Sequence, residues 1–95
     1  MTLGKHVYNG LCSACHQRDG SGLAAAGYPA LTGSDVATGP IAAHINQVIY
    51  GKNAMPAFGR QLTDAEIAAV VTYERNALGN AVGDEATPKQ VEDLR

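Results

Sequence analysis

Tryptophan is absent and phenylalanine occurs once, so the four tyrosines carry nearly all of the aromatic content of this 95-residue chain. A core drawn from it must rest on Ala, Val, Ile and Leu, and is thin. A chain of this length lies near the small end of what one hydrophobic core holds together unaided, so it is read as one domain, residues 1–95, that gains from a cofactor or a staple. Burial of apolar surface returns on the order of 25 cal/mol per Å², so a large apolar guest among small side chains supplies a substantial share of the folding free energy. Charge of one sign is also missing. The formal net charge is −2, and Lys5, Arg18, Lys52, Arg60, Arg75, Lys89 and Arg95 are scattered. That excludes the clustered basic face of a nucleic-acid binder. No apolar run approaches the roughly 18 residues of a membrane-spanning helix, and no stretch has the basic, apolar, small-residue order of a secretory signal. Internal repeats and alternating strand patterns are absent as well, which leaves an all-α fold of three to five short helices.

The helices announce themselves by spacing and punctuation. Thr2 is placed as the N-cap of a helix over about residues 3 to 14, with Val7 and Leu11 on one face and Tyr8 beside them. Residues 17 to 39 hold five of the eleven glycines plus Pro29 and are read as a loop without regular structure, a length that in a small domain is usually functional. Pro40 opens a second helix at its first position, Ile41, Ile45, Val48 and Ile49 give it an apolar face, and Gly51 ends it. In Lys52-Asn53-Ala54-Met55-Pro56-Ala57-Phe58-Gly59 the proline biases Met55 toward extended backbone, hence a loop. Thr63-Asp64-Ala65-Glu66 is a capping box, followed by Ile67, Val70, Val71 and Leu78 at helical spacing, with Tyr73 alongside and Gly79 as the stop. Thr87-Pro88-Lys89-Gln90 starts a brief terminal helix with Val91 and Leu94 inward.

Cys12-Ser13-Ala14-Cys15-His16 carries the chemistry. The C-x-x-C-H arrangement is the pattern of c-type haem attachment. Two thiols three positions apart on one turn reach both vinyl groups of a haem, and the adjoining His lies beneath the iron. Three other readings compete: a thiol–disulfide redox pair, half of a zinc site, and a structural disulfide. Zinc calls for two further ligands at paired spacing, whereas His6 and His44 stand singly. A thioredoxin-like pair calls for a βαβ context that the pattern lacks. The second iron ligand is reached by elimination. Apart from Met1 the chain has one methionine, Met55, and it lies in a Pro-punctuated loop with no periodicity demanding its burial. A gap-filling role is the ordinary one for Met. The other candidates are His44, read as a surface residue in mid-helix, and His6, also at an exposed-looking position. His/Met ligation raises the potential relative to bis-His and leaves no open coordination position. Covalent haem attachment further implies that the natural product is exported, with a signal or as part of a longer chain.

Gly4 and Tyr8 ahead of the motif, Cys12-Ser13-Ala14-Cys15-His16, Pro29-Ala30-Leu31, Met55-Pro56 and Tyr73 together resemble the class I cytochromes c over about residues 2 to 79. The resemblance implies one covalent haem c, thioethers at Cys12 and Cys15, axial ligands His16 and Met55, and Pro29, Leu31 and Phe58 around the cofactor. It implies that the first and last long helices cross at Gly4, Tyr8 and Tyr73. The Pro29 carbonyl would accept a hydrogen bond from the second ring nitrogen of His16, which orients the ligand; the plainer reading is a loop proline. The stretches Ile41–Ile45, Lys52–Gly59 and Tyr73-Glu74-Arg75-Asn76 are similar to the cytochrome c domain at the C-terminus of subunit II of bacterial caa-type oxidases, and so is the Thr87–Arg95 tail. Leu78 stands where that subfamily has Trp. The implied role is single-electron transfer from a donor cytochrome or similar redox protein to the dinuclear copper domain of subunit II. The implied place is the outer, periplasmic face of a bacterial membrane, reached only through the parent subunit. A free periplasmic carrier is the alternative within the class.

Around the haem edge, Ala24-Ala25-Ala26 and Met55-Pro56-Ala57-Phe58 form either an apolar docking rim or simple packing on the haem. Arg60 and Lys52 are either propionate partners or solvated charges. No residue is read as catalytic. A peroxidase or ligand-binding sensor would need Met55 to leave the iron, and a thiol oxidoreductase would keep Cys12 and Cys15 titratable.

Overall fold

The computed structural model describes residues 2–17, 20–22, 30–51 and 57–95. Pro29 and Met55, with Ala24–Ala26, Arg18 and Lys52, lie outside the described residues. The described chain is all-α, with no strand. A continuous helical run opens it: α1 (Thr2–Val7), a π turn (Tyr8–Cys12) and α2 (Ser13–His16). After it come α3 (Asp35–Thr38), α4 (Ile41–Tyr50), α5 (Asp64–Asn76) and α6 (Pro88–Leu94). None of these helices is long and apolar enough to cross a membrane.

The fold turns on the crossing of α1 and α5. A Cβ placed on Gly4 would stand 2.8 Å from Tyr73 Cβ and closer still to the Ala69 carbonyl oxygen, so the two backbones touch. The tyrosines beside the crossing pack tilted, with ring centroids 5.5 Å apart at 44°, and Tyr8 is fully buried. Behind them Val7, Ile45, Val48, Ile49, Phe58, Leu62, Ile67, Val70, Val71 and Val91 form one apolar cluster that also takes in Cys12.

Several local expectations are corrected. Thr2 already belongs to the helix. Leu11 is exposed and Cys12 buried, because the Ser13 N–H reaches back to the Tyr8 carbonyl, one residue further than an α-helix allows. The widened turn brings Cys12 into line with Val7 and Tyr8. Within the region read as irregular, Ser34 caps α3, its side chain accepting from the Ala37 N–H at 2.9 Å. Pro40 is extended (ψ 131°) and precedes α4 by one residue. Helix α5 stops at Asn76, and Leu78 reaches the core from a left-handed turn (φ 56°). Both capping boxes form as expected, and Val91 is buried.

The end of α5 also secures the chain beyond it. Buried Arg75 donates from Nε and Nη2 to the Asp84 carboxylate at 2.6 and 2.9 Å, and from Nη2 to the Gly39 carbonyl at 2.7 Å. The Arg75 hydrogen bonds hold the Asp84 carboxyl below the usual aspartate range. A group with a depressed folded value stabilises above its unfolded pKa, about 3.9, and loses that contribution as pH falls through the folded value.

Two outcomes are expected. Ala in place of Gly4 gains up to about 1 kcal/mol of helix propensity, yet overpacking against backbone costs about 1–3 kcal/mol or more, so Gly4→Ala lowers the midpoint of denaturant unfolding. Asp84→Asn leaves Arg75 with a weaker, uncharged partner and, since the Asp84 side chain is 44% exposed, lowers stability at neutral pH by at most about 1 kcal/mol. Its stability profile should also lack part of the fall expected below pH about 4 for the parent protein; parallel acid limbs would contradict the Arg75–Asp84 assignment.

Candidate haem-attachment site

The helical run delivers the site. Its N-terminal part is pinned under α5, and the π turn sets the phase of the residues beyond it. Cys12 is 8% exposed within the apolar cluster, and His16, the last residue of α2, is also 8% exposed. Cys15 lies in α2 between them. A thiol buried in the apolar cluster and a buried imidazole four residues on form a donor set that fits a covalently held iron porphyrin. Among the described residues no group of three His, Cys, Asp or Glu side chains converges, so the zinc reading finds no support there.

The chain just after His16 is tightly held. The Gln17 N–H donates to the Ser13 carbonyl at 2.9 Å, the Gly22 N–H to the His16 carbonyl at 2.9 Å, and the Tyr8 hydroxyl to the Gln17 carbonyl at 2.6 Å. Gly20 comes next, and its carbonyl accepts from Leu31 N–H at 2.7 Å. Its φ of +77° and the 3.0 Å separation that a Cβ would have from Leu78 Cβ favour glycine there.

Leu31 is half-buried against the core. Its carbonyl accepts from Asn80 Nδ2 at 3.0 Å; the same amide group donates to the Glu74 carbonyl at 2.9 Å, and Asn80 Oδ1 accepts from Gly33 N–H at 2.7 Å. Buried Asn80 thus fixes the segment that leads out of the Pro29 region. Sequence reasoning passed over it, although an amide a few residues past a helix end and next to a glycine is a common device for holding neighbouring backbone.

Phe58 is 8% exposed and belongs to the core, so it packs inward, while Ala57 is exposed. The N–H groups of Phe58 and Gly59 donate to the Val48 and Ile49 carbonyls, each at 3.0 Å, which seats residues 58 and 59 on the end of α4. Arg60 is exposed, in keeping with a solvated charge.

His44 overturns its expected surface position. It is 2% exposed, and its Nε2 lies 2.8 Å from Glu74 Oε1, a carboxylate that is itself buried. The signal was present in the spacing, since position 44 falls on the Ile41, Ile45, Val48 stripe of α4. With that nitrogen engaged by Glu74, His44 loses ground as an iron ligand. His6 is exposed, as read.

Comparison with known proteins shows the family. The family model described as cytochrome c oxidase, cbb3-type, subunit III matches residues 1–73. The fructose dehydrogenase cytochrome subunit of Gluconobacter japonicus is 35% identical over 84% of this chain, which spans only 19% of that subunit's length. Cytochrome c6 of Diacronema lutheri is 37% identical over 80% of the chain and 94% of its own length. The cbb3-type cytochrome c oxidase subunit CcoP of Azospirillum brasilense is 33% identical over 80% of the chain and 28% of its own length. The family match runs from the first helical residues to Tyr73 and so includes both sides of the α1–α5 crossing; the chain belongs to the cytochrome c family described as cytochrome c oxidase, cbb3-type, subunit III, as a class I domain that carries one covalent haem c and transfers electrons without catalysing a reaction itself.

Proposed function

We propose that Cys12 and Cys15 form the thioethers to haem c, that His16 and Met55 are its axial ligands, and that the domain feeds single electrons into a terminal oxidase. The observation that carries this reading is the burial of Cys12 and His16 at one end of a helical run anchored by α5. Haem c, when bound, supplies a ferric–ferrous couple that exchanges one electron at a time. The protein's part is to hold still. Burial of His16 and Cys12 excludes water, Leu31 and Phe58 line the apolar surroundings, and Pro29 is assigned the carbonyl that receives the second His16 ring N–H. A site with both axial positions filled by protein needs little rearrangement between redox states.

The acceptor we assign is the dinuclear copper centre of an oxidase subunit II, on the likeness of residues 41–45, 52–59 and 73–76 to the domain fused there, with a cytochrome or similar redox protein as donor. Similarity to the CcoP subunit supports an oxidase setting, and similarity to a dehydrogenase subunit supports a cytochrome domain carried within a larger redox assembly. Cytochrome c domains work on the extracytoplasmic side, and the periplasmic face of the bacterial membrane, reached through a parent subunit, is the assigned place. A second reading, a free carrier, is favoured by the cytochrome c6 match across 94% of that protein.

The first test is spectroscopic. Acid–acetone extraction should leave haem with the polypeptide, and the reduced protein should show sharp low-spin bands; a colourless protein with two titratable thiols would sink the assignment. Met55→Ala should abolish the weak far-red ferric band of His/Met haem, open the iron to added imidazole and lower the midpoint potential. An unchanged spectrum and potential would remove Met55 from the site.

A further inference from the structure

Gln17 sits directly after His16 and has φ 66° and ψ 160°. This combination belongs almost exclusively to glycine, and another residue keeps it only where its surroundings over-determine it. The surroundings here do so through both peptide groups that flank the Gln17 Cα. On the first, the Gln17 N–H donates to Ser13 and the His16 carbonyl accepts from Gly22, each at 2.9 Å. On the second, the Gln17 carbonyl accepts from the Gly20 N–H at 3.2 Å and from the Tyr8 hydroxyl at 2.6 Å. Three of these bonds are made within residues 13–22. The fourth comes from the side chain that stands at the α1–α5 crossing, fully buried, with its ring against Tyr73.

We propose that the Tyr8 hydroxyl is a positioning group for His16: by holding the Gln17 carbonyl it fixes the backbone on which the imidazole hangs, and so sets the orientation in which that ring meets the iron. Packing alone does not call for this hydroxyl, since a phenylalanine ring would fill the same space against Tyr73. A buried hydroxyl does need an acceptor, and the acceptor it has is the carbonyl of the strained residue beside the ligand. The Tyr8 bond thereby links the backbone beside His16 to α5. The proposal rests on His16 being an axial ligand, as argued above.

The test is Tyr8→Phe in the haem-loaded protein, read by the hyperfine-shifted His16 ring resonances of the ferric form and by the midpoint potential, with thermal unfolding recorded in parallel. Gln17→Gly is the companion, since it relieves the backbone while leaving the hydroxyl in place. The expected result is that Tyr8→Phe displaces the His16 resonances and shifts the potential, whereas Gln17→Gly raises the unfolding temperature and leaves both unchanged. A Tyr8→Phe protein that only unfolds at lower temperature, with His16 resonances and potential intact, overturns the proposal. So does a Gln17→Gly protein that moves them as far as Tyr8→Phe does. Should Tyr8→Phe fail to fold, the parent protein decides: a slowly exchanging Tyr8 hydroxyl proton close to the Gly20 amide supports the bond, and its absence rejects it. A parent protein without hyperfine-shifted His16 signals refutes the ligand assignment instead, and is distinguishable from each of these.

Discussion

Everything in this domain is built on the absence of a side chain at Gly4. Because nothing separates its Cα from the Ala69 carbonyl and Tyr73 Cβ, α1 and α5 meet backbone to backbone. Close helix contact of this kind carries little apolar area of its own, but it fixes the relative position of the elements that do. It sets Tyr8 on Tyr73, points the helical run at the core, and determines where a thiol and an imidazole a few residues further along emerge. In a chain with so few aromatics, precise placement does what sheer apolar mass does in larger domains.

Helix α5 distributes this placement through four successive residues. Tyr73 faces the first helix, Glu74 takes the buried His44 of α4, Arg75 ties Gly39 to Asp84, and Asn76 binds the backbone of residues 83 and 84 through both ends of its amide. Successive residues on an α-helix are turned by about 100°, so four in a row look in nearly every direction, and each meets a different part of the chain. Buried polar contacts of this sort add modestly to net stability, but mispaired they are costly. They therefore select one arrangement of loops around an otherwise generic aliphatic core.

What could be seen in the sequence was whatever is encoded within a few residues. The two capping boxes, the stop at Gly51, the attachment pentapeptide and the buried face of α4 are all local, and the all-α fold derives from them. The glycine and tyrosines of the crossing were legible too, through resemblance. The features that escaped are those in which distant segments decide. His44 stands on the apolar stripe of α4, but the partner that lets an imidazole be buried there, Glu74, lies thirty residues on. Leu78 continues the helical spacing, yet α5 ends before it and the side chain arrives in the core from a left-handed turn. Asn80 looked like an ordinary residue after a glycine, and its role exists only because Leu31, Gly33 and Glu74 bring their backbones to it. Short α3 is a different case, since Ser34 and Asp35 were a readable start that the glycine-rich surroundings obscured.

The π turn between α1 and α2 makes chain length itself a structural parameter. A turn closed one residue later than in an α-helix holds one residue more than a regular path requires. Shortening the segment by that residue would give a smoother helix with better intrinsic geometry, and would swing everything beyond it by about 100° about the axis. Cys12 would then face away from the core that Gly4 and Tyr8 still address, and His16 would turn with it. Regularity and correct phase are thus opposed in this helix, and the irregular turn is what reconciles a crossing at one end with a binding surface at the other.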